Sequence, residues 1–201
     1  ETNNYISLSG EYVNSWININ TNVYSNWFRN KIEGMWSNDQ TELHYVNIGK
    51  SRLAGVETMC KIQINRHINV HGAYNYLYTS KDADGVRLSS SSPHSGNIRA
   101  EYNTRIPRYA TVVNLSGNIM GKKKFDVLDE LEIDGKKVEA YYQAKVNPYC
   151  LWDLTVSQYI MQNLRITAGI TNLFDYTSDR VTFNTSTSPG RNYFIACNYT
   201  L

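Results

Sequence analysis

Along residues 16–27, WININTNVYSNW, apolar or small side chains fall at Ile17, Ile19, Thr21 and Val23, and amides at Asn18, Asn20, Asn22 and Asn26. A period of two predicts a β-strand, because successive side chains point to opposite faces. The same alternation runs through nine segments: 4–13, 16–28, 44–65, 67–79, 94–104, 108–121, 149–161, 164–174 and 192–201. No helical period competes with it, so the chain reads as all-β. Two environments fit such strands. In a soluble sandwich the Ile/Val rows form the core and the asparagines meet water. In an outer-membrane barrel the Ile/Val rows meet lipid and the asparagines line a wet lumen.

The connections favour the barrel. Short turns are expected near Asn14-Ser15, Arg66-His67, Ile106-Pro107 and Gln162-Asn163, and long polar loops at about 29–43, 80–93, 122–148 and 175–191. Short and long links therefore alternate, as periplasmic turns and extracellular loops do. Glu57, Lys61, Arg99, Glu101, Asp153 and Arg165 share the asparagine face. The opposite face is nearly free of charge and carries aromatics near the strand ends. Tyr12, Tyr102, Tyr109 and Tyr199 fall by the short turns, and Trp27, Tyr76, Tyr78, Trp152 and Tyr193 by the long loops. Two aromatic levels around an aliphatic band resemble membrane girdles; Trp16 alone has the wrong parity for its level. The expectation is an antiparallel transmembrane β-barrel with the Ile/Val rows facing lipid.

Composition narrows the partners. A net charge of +2 over 201 residues is too small to suggest nucleic acid. The 16 Tyr and 4 Trp, with about one residue in nine Asn, suit strands wet on one side. Cys60, Cys150 and Cys197 lie on the apolar parity and read as unreactive thiols. No CxxC or CxxH occurs, and His67 and His71, on one face of a strand, are ~13 Å apart; no metal site is expected. Asp153, Ser157 and His71 share a parity on separate strands, with nothing to mark them as a catalytic set, so an enzyme is not expected. Gly121-Lys122-Lys123-Lys124 is no phosphate loop and reads as a solvated basic patch, or a contact to lipopolysaccharide.

The runs GITNLFDYTSDR (169–180) and SPGRNYFIACNYTL (188–201) resemble the end of TonB-dependent outer-membrane receptors. There an N-L-F-D run follows the penultimate strand and a P-G-R run leads into the last. NIGKSRLAGVETMCKI (47–62) resembles an internal strand of the same family, and Pro93-His94 has a counterpart there. The opening run, with Glu1 ahead of NNYISLSGEY, also fits. The resemblance implies a 22-stranded barrel closed by an amino-terminal plug, of which residues 1–201 would be about the last nine strands, the plug and the TonB-contacting segment not being present. It also implies an outer-membrane location. The terminal Leu201 departs from the aromatic residue that usually closes such barrels.

The resemblance implies active import of a scarce solute: an iron–siderophore complex, haem or cobalamin, in that order. The implied partners are outer-membrane lipid and lipopolysaccharide, the plug, the TonB complex and the imported ligand, with no resident cofactor. Ligand contacts are expected from long loops, which makes Trp36, His44, Tyr45, Tyr141, Tyr142 and Arg180 the candidates by position and type. The inward charges Glu57, Lys61, Arg99, Glu101, Asp153 and Arg165 are expected to meet the plug. A passive porin- or adhesin-type barrel and a soluble all-β binding module are the alternatives.

Overall fold

The computed structural model describes residues 1–36, 42–80, 92–104, 106–133, 136–161, 163–177 and 189–200. Its strands are β1 (Thr2–Val13), β2 (Ile17–Trp36), β3 (Leu43–Gln63), β4 (Ile68–Thr79), β5 (His94–Asn103), β6 (Thr111–Met120), β7 (Lys123–Ile133), β8 (Lys136–Val146), β9 (Tyr149–Ile160), β10 (Leu164–Thr171) and β11 (Asn192–Tyr199). Nine of them form one antiparallel sheet in the order β1-β2-β3-β4-β5-β6-β9-β10-β11, and β7 pairs only with β8. These nine are the nine alternating segments of the sequence. The sheet is a meander that stays open, with β1 and β11 as its edges.

The turns form where short polar side chains can stand in for backbone partners. Asn14 Oδ1 accepts from the N–H groups of Trp16 and Ile17, both at 2.9 Å. Asn65 Oδ1 does the same for His67 at 2.8 Å and Ile68 at 3.0 Å. Such Asx turns reverse the chain in very few residues. The short turn expected near Ile106-Pro107 lies in the β5–β6 connection, where Thr104 Oγ1 accepts from the Thr111 N–H at 2.9 Å and Arg108 adopts φ 70°. Trp16 lies in a bend ahead of β2, so strand parity never applied to it.

Two expected loops are strands instead. β2 and β3 continue through most of 29–43 and pair as far as Trp36↔Leu43. Within 122–148, β7 and β8 form a hairpin paired from Lys123↔Val146 to Ile133↔Lys136. Two of the four long connections thus contain raised hairpins.

Register settles the faces, because directly opposed residues share one. Leu8, Val23, Val56 and Tyr76 form one row, and Ile17, Ile62 and Val70 another. Asn22, Glu57, Asn75 and Ser95 line up on the reverse side. Among the described residues Val146 is the only buried hydrophobic side chain. Leu8 is 78% exposed, Val23 51% and Ile195 82%, so the aliphatic rows have no protein core to enter. A soluble sandwich would bury those rows. This sheet leaves them outside, where only hydrocarbon can cover them.

Adjacent positions on β2 test that assignment. Val23→Arg places a cation on the outer face near the middle of the span and is expected to cost about 2–4 kcal/mol. Asn22→Arg, one residue away but facing inward, gives up a hydrogen bond from Ser9 (3.0 Å) and should cost about 1 kcal/mol. Urea unfolding of the two variants in lipid vesicles, followed by heat-shift electrophoresis, measures the difference. Equal losses would contradict the assignment of faces.

Candidate functional site

The asparagine face is the concave one. A cavity of about 510 Å³ opens on it, with Asn20, Asn22, Glu57, Asn75, Asn97 and Asn118 in its lining. These residues come from β2, β3, β4, β5 and β6, and the period of two alone brings them to one surface. Beside the cavity, other residues of the same face hold one another in place: Asn18 Nδ2 donates to Glu11 Oε1 at 3.1 Å, and Arg99 donates from Nη2 and Nε to Asn114 Oδ1 at 2.9 and 3.2 Å. Tyr5 and Tyr24 stack on the same face with centroids 6.4 Å apart. Three inward oxygens, Asn26 Oδ1, Ser51 Oγ and Asn75 Oδ1, are buried with no hydrogen-bond partner among the described residues. Leaving such an acceptor unmatched costs about 1–3 kcal/mol.

The six inward charges all reach this face. Glu57 lines the cavity, Lys61 opposes Asn18 and His71, and Glu101 opposes Asn69 and Asn114. Arg99 Nη2 lies 3.6 Å from Glu101 Oε2, and Arg165 sits over the Tyr159 ring at 6.0 Å. Asp153 has a structural task that the sequence does not announce. Its Oδ1 accepts from the backbone N–H of Asn172 at 2.8 Å. Asn172, 5% exposed and at φ 52°, in turn binds Tyr176 through both ends of its amide, at 2.7 and 2.8 Å. Asp175 Oδ1 accepts from the Arg191 N–H at 2.7 Å, beside Gly190 at φ 72°. The N-L-F-D and P-G-R runs thus meet between β10 and β11 through the Asp175–Arg191 hydrogen bond. Tyr149 stacks on Tyr176 at 4.9 Å and 10°, a pairing that sequence reasoning missed because the partners are 27 residues apart in different segments.

The loop candidates are spread over the outer hairpins. Trp36 ends β2 opposite Leu43, and Tyr45 opposes Gly34 and is 74% exposed. His44 Nε2 lies 3.4 Å from Glu42 Oε2. Tyr141 and Tyr142 stand on β8 opposite Leu128 and Val127. β7 contacts β2, so the two raised hairpins meet. At the foot of the second hairpin, burial pushes the Lys123 ammonium below its usual pKa. Arg180 lies outside the described residues. His67, bound through Nδ1 to the Asn103 carbonyl at 2.8 Å and through Nε2 to Arg66 at 2.8 Å, is a turn residue. Among the described residues no group of three His, Cys, Asp or Glu is placed to hold a metal ion, and the three cysteines are free thiols.

Residues 1–173 match the family described as TonB dependent receptor-like, beta-barrel. The fold is similar to that of the siderophore receptor PirA from Acinetobacter baumannii, with a TM-score of 0.73 at 16% identity over 98% of this chain and 31% of that one. The ferripyoverdine receptor of the outer membrane of Pseudomonas aeruginosa aligns at 0.70 and 18% identity over 98% of this chain and 26% of the receptor. The copper transporter OprC aligns at 0.72 and 13% identity over 98% and 30%. The chain spans less than a third of the length of each of these proteins.

The Asn172 turn carries its own test. Asn172→Ala removes both amide contacts to Tyr176 and leaves a left-handed backbone position without a residue that favours it. The expected cost is about 2–3 kcal/mol, read as a lower urea midpoint at constant slope. Asn163→Ala, which loses one exposed contact to the Thr200 carbonyl (2.9 Å), should shift the midpoint far less.

Proposed function

This chain belongs to the TonB-dependent receptor β-barrel family of the bacterial outer membrane, a family of transporters rather than enzymes, and we propose that it forms nine consecutive strands of a larger barrel that imports a scarce metal chelate. An iron–siderophore complex is the first choice of cargo, ahead of haem and cobalamin; PirA is described as a siderophore receptor, and the Pseudomonas aeruginosa protein as a ferripyoverdine receptor bound to ferripyoverdine. The carrying observation is the concave polar wall, a cavity of about 510 Å³ with Asn20, Asn22, Glu57, Asn75, Asn97 and Asn118 in its lining. A plug seated in the lumen gives these amides and the inward charges Glu57, Lys61, Arg99 and Arg165 their counterparts. Asp153, already engaged by Asn172, contributes by fixing the turn.

Above the wall, the β2–β3 and β7–β8 hairpins present His44, Tyr45, Tyr141 and Tyr142 on the loop side. Together with Trp36 and Arg180 they form the proposed cargo contact. Aromatic faces and a cation suit a large, flat, anionic chelate. Binding there, followed by TonB-driven rearrangement of the plug, completes the cycle.

Deletion of the complete gene should abolish growth on a ferric siderophore as the only iron source while leaving growth on ferrous salts unchanged. Complementation with Asn75→Leu should leave the barrel heat-modifiable yet lower uptake several-fold, since one plug contact is lost. Normal growth of the deletion strain on every iron chelate would overturn the cargo assignment. Uptake that persists without TonB would favour the passive-pore alternative.

A further inference from the structure

All four short turns lack a carboxylate. Residues 14–16, 64–67, 104–110 and 161–163 include Arg66, Arg105 and Arg108 but no Asp or Glu, whereas each of 29–43, 80–93, 122–148 and 175–191 carries both signs of charge. Short turns of such a barrel face the periplasm, so this edge of the sheet presents cations without acids. Arg105 lies outside the described residues; Arg66 and Arg108 are both exposed. Among the described residues no carboxylate pairs with either of these two.

The two turns that carry these cations form one laced unit. The Asn103 N–H donates to the His67 carbonyl at 2.8 Å, and His67 Nδ1–H donates back to the Asn103 carbonyl at 2.8 Å. A carbonyl only accepts, so the second bond fixes the tautomer and leaves Nε2 with a lone pair. Arg66 Nε–H donates into it at 2.8 Å. The Tyr102 ring stands beside the imidazole, with centroids 6.2 Å apart. Arg66 is thus oriented through Nε, and both of its Nη groups lie outside that contact. Arg108 is set by its backbone, at φ 70° in a turn where the Tyr109 N–H donates to the Ile106 carbonyl at 3.3 Å. Turns on consecutive strand pairs stand two strand spacings apart, about 10 Å. Two guanidinium forks at that interval, without acids of their own, suit carboxylates. The interval also selects among anions. A polymer with carboxylates along its length meets both turns at once, the second at high effective concentration. A phospholipid headgroup has one phosphate and meets one turn.

We propose that this two-turn unit, residues 64–68 and 103–111, binds the carboxylate-bearing peptide stems of the cell wall, with Arg66 and Arg108 each taking a carboxylate. Ile64 and Ile106, 61% and 54% exposed beside them, pack on the aliphatic carbons of the stem. The contact tethers the barrel to the wall. It lies at the opposite end of the strands from the cargo hairpins and makes no use of the cargo, so it stands or falls apart from import.

The complete receptor, purified in detergent, is sedimented with purified peptidoglycan sacculi and titrated with soluble disaccharide-tetrapeptide fragments. Wild type should sediment with the sacculi, and fragments with amidated carboxylates should bind about tenfold or more weakly than free-acid ones. R66A/R108A should lose that preference. K122A/K124A, with the same loss of charge at the long-loop end, should retain it. Equal binding of the two fragments by wild type, equal binding by wild type and R66A/R108A, or equal loss in both double variants overturns the proposal. Displacement of the free-acid fragment by equimolar short-chain phosphatidylglycerol overturns the wall assignment in favour of a headgroup. Should R66A/R108A lose its heat shift, Arg66→Ala alone carries the test: a several-fold loss of affinity is expected, and wild-type affinity overturns the proposal.

Discussion

Every backbone N–H and C=O within hydrocarbon must find a partner inside the protein, because each unmatched group there costs several kcal/mol. The other features of this chain answer to that demand. It requires the unbroken ladders from β1 to β11, and it allows the faces to be inverted relative to a soluble sheet, with Leu8, Val23 and Ile195 outside and the asparagines inside. It also bears on the edges. β1 and β11 each leave one side of their ladder open, and a free edge is no more tolerable in lipid than a free loop. Further strands on both sides resolve this, in keeping with a sheet that spans less than a third of the receptors it resembles.

The alternation made the nine-stranded sheet legible, and for a physical reason. Each strand lies between two solvents of opposite polarity, so side-chain polarity reports the face directly. The asparagines at the short turns were equally legible, since Asn14 and Asn65 act within three residues of themselves. The upper halves of β2 and β3 were not. Above the membrane both faces meet water, and the period of two fades into Arg29, Lys31 and Glu33, which resemble a loop. The β7–β8 hairpin did leave a signal in the sequence: Phe125, Val127, Leu131 and Ile133 alternate with Asp126, Glu130 and Glu132, and Asp-Gly at 134–135 is a dipeptide that signals a two-residue hairpin link. The run of charges obscured it.

The candidate site divides along the same line. The inward charges were grouped by parity, and the register sets them on one face of the sheet. The engagement of Asp153 with Asn172 did not, because it depends on a turn that closes 19 residues later. Loop contacts depend on how hairpins lean, and nothing local in the sequence encodes the approach of β7 to β2.

The positions where the backbone departs from strand geometry complete the picture. Among the described residues, Asn30, Arg108, Met161, Asn172, Asp175 and Gly190 have positive φ. Arg108 and Met161 lie in short turns, and Asn172, Asp175 and Gly190 in the link between β10 and β11. Asn30 is the exception, because it sits within β2. There the ladder between β2 and β3, continuous from Ile17↔Ile62 to Arg29↔Lys50, skips one rung and resumes at Lys31↔Ile48. The skipped rung is one residue beyond Arg29, where water can satisfy what the partner strand does not. The turn of the chain at Asn30 also sets Lys31 Nζ over the Phe28 ring at 5.4 Å, a contact that regular alternation would place on opposite faces. The break in the β2–β3 ladder thus falls three residues beyond Trp27, at the loop-side end of the outward apolar band.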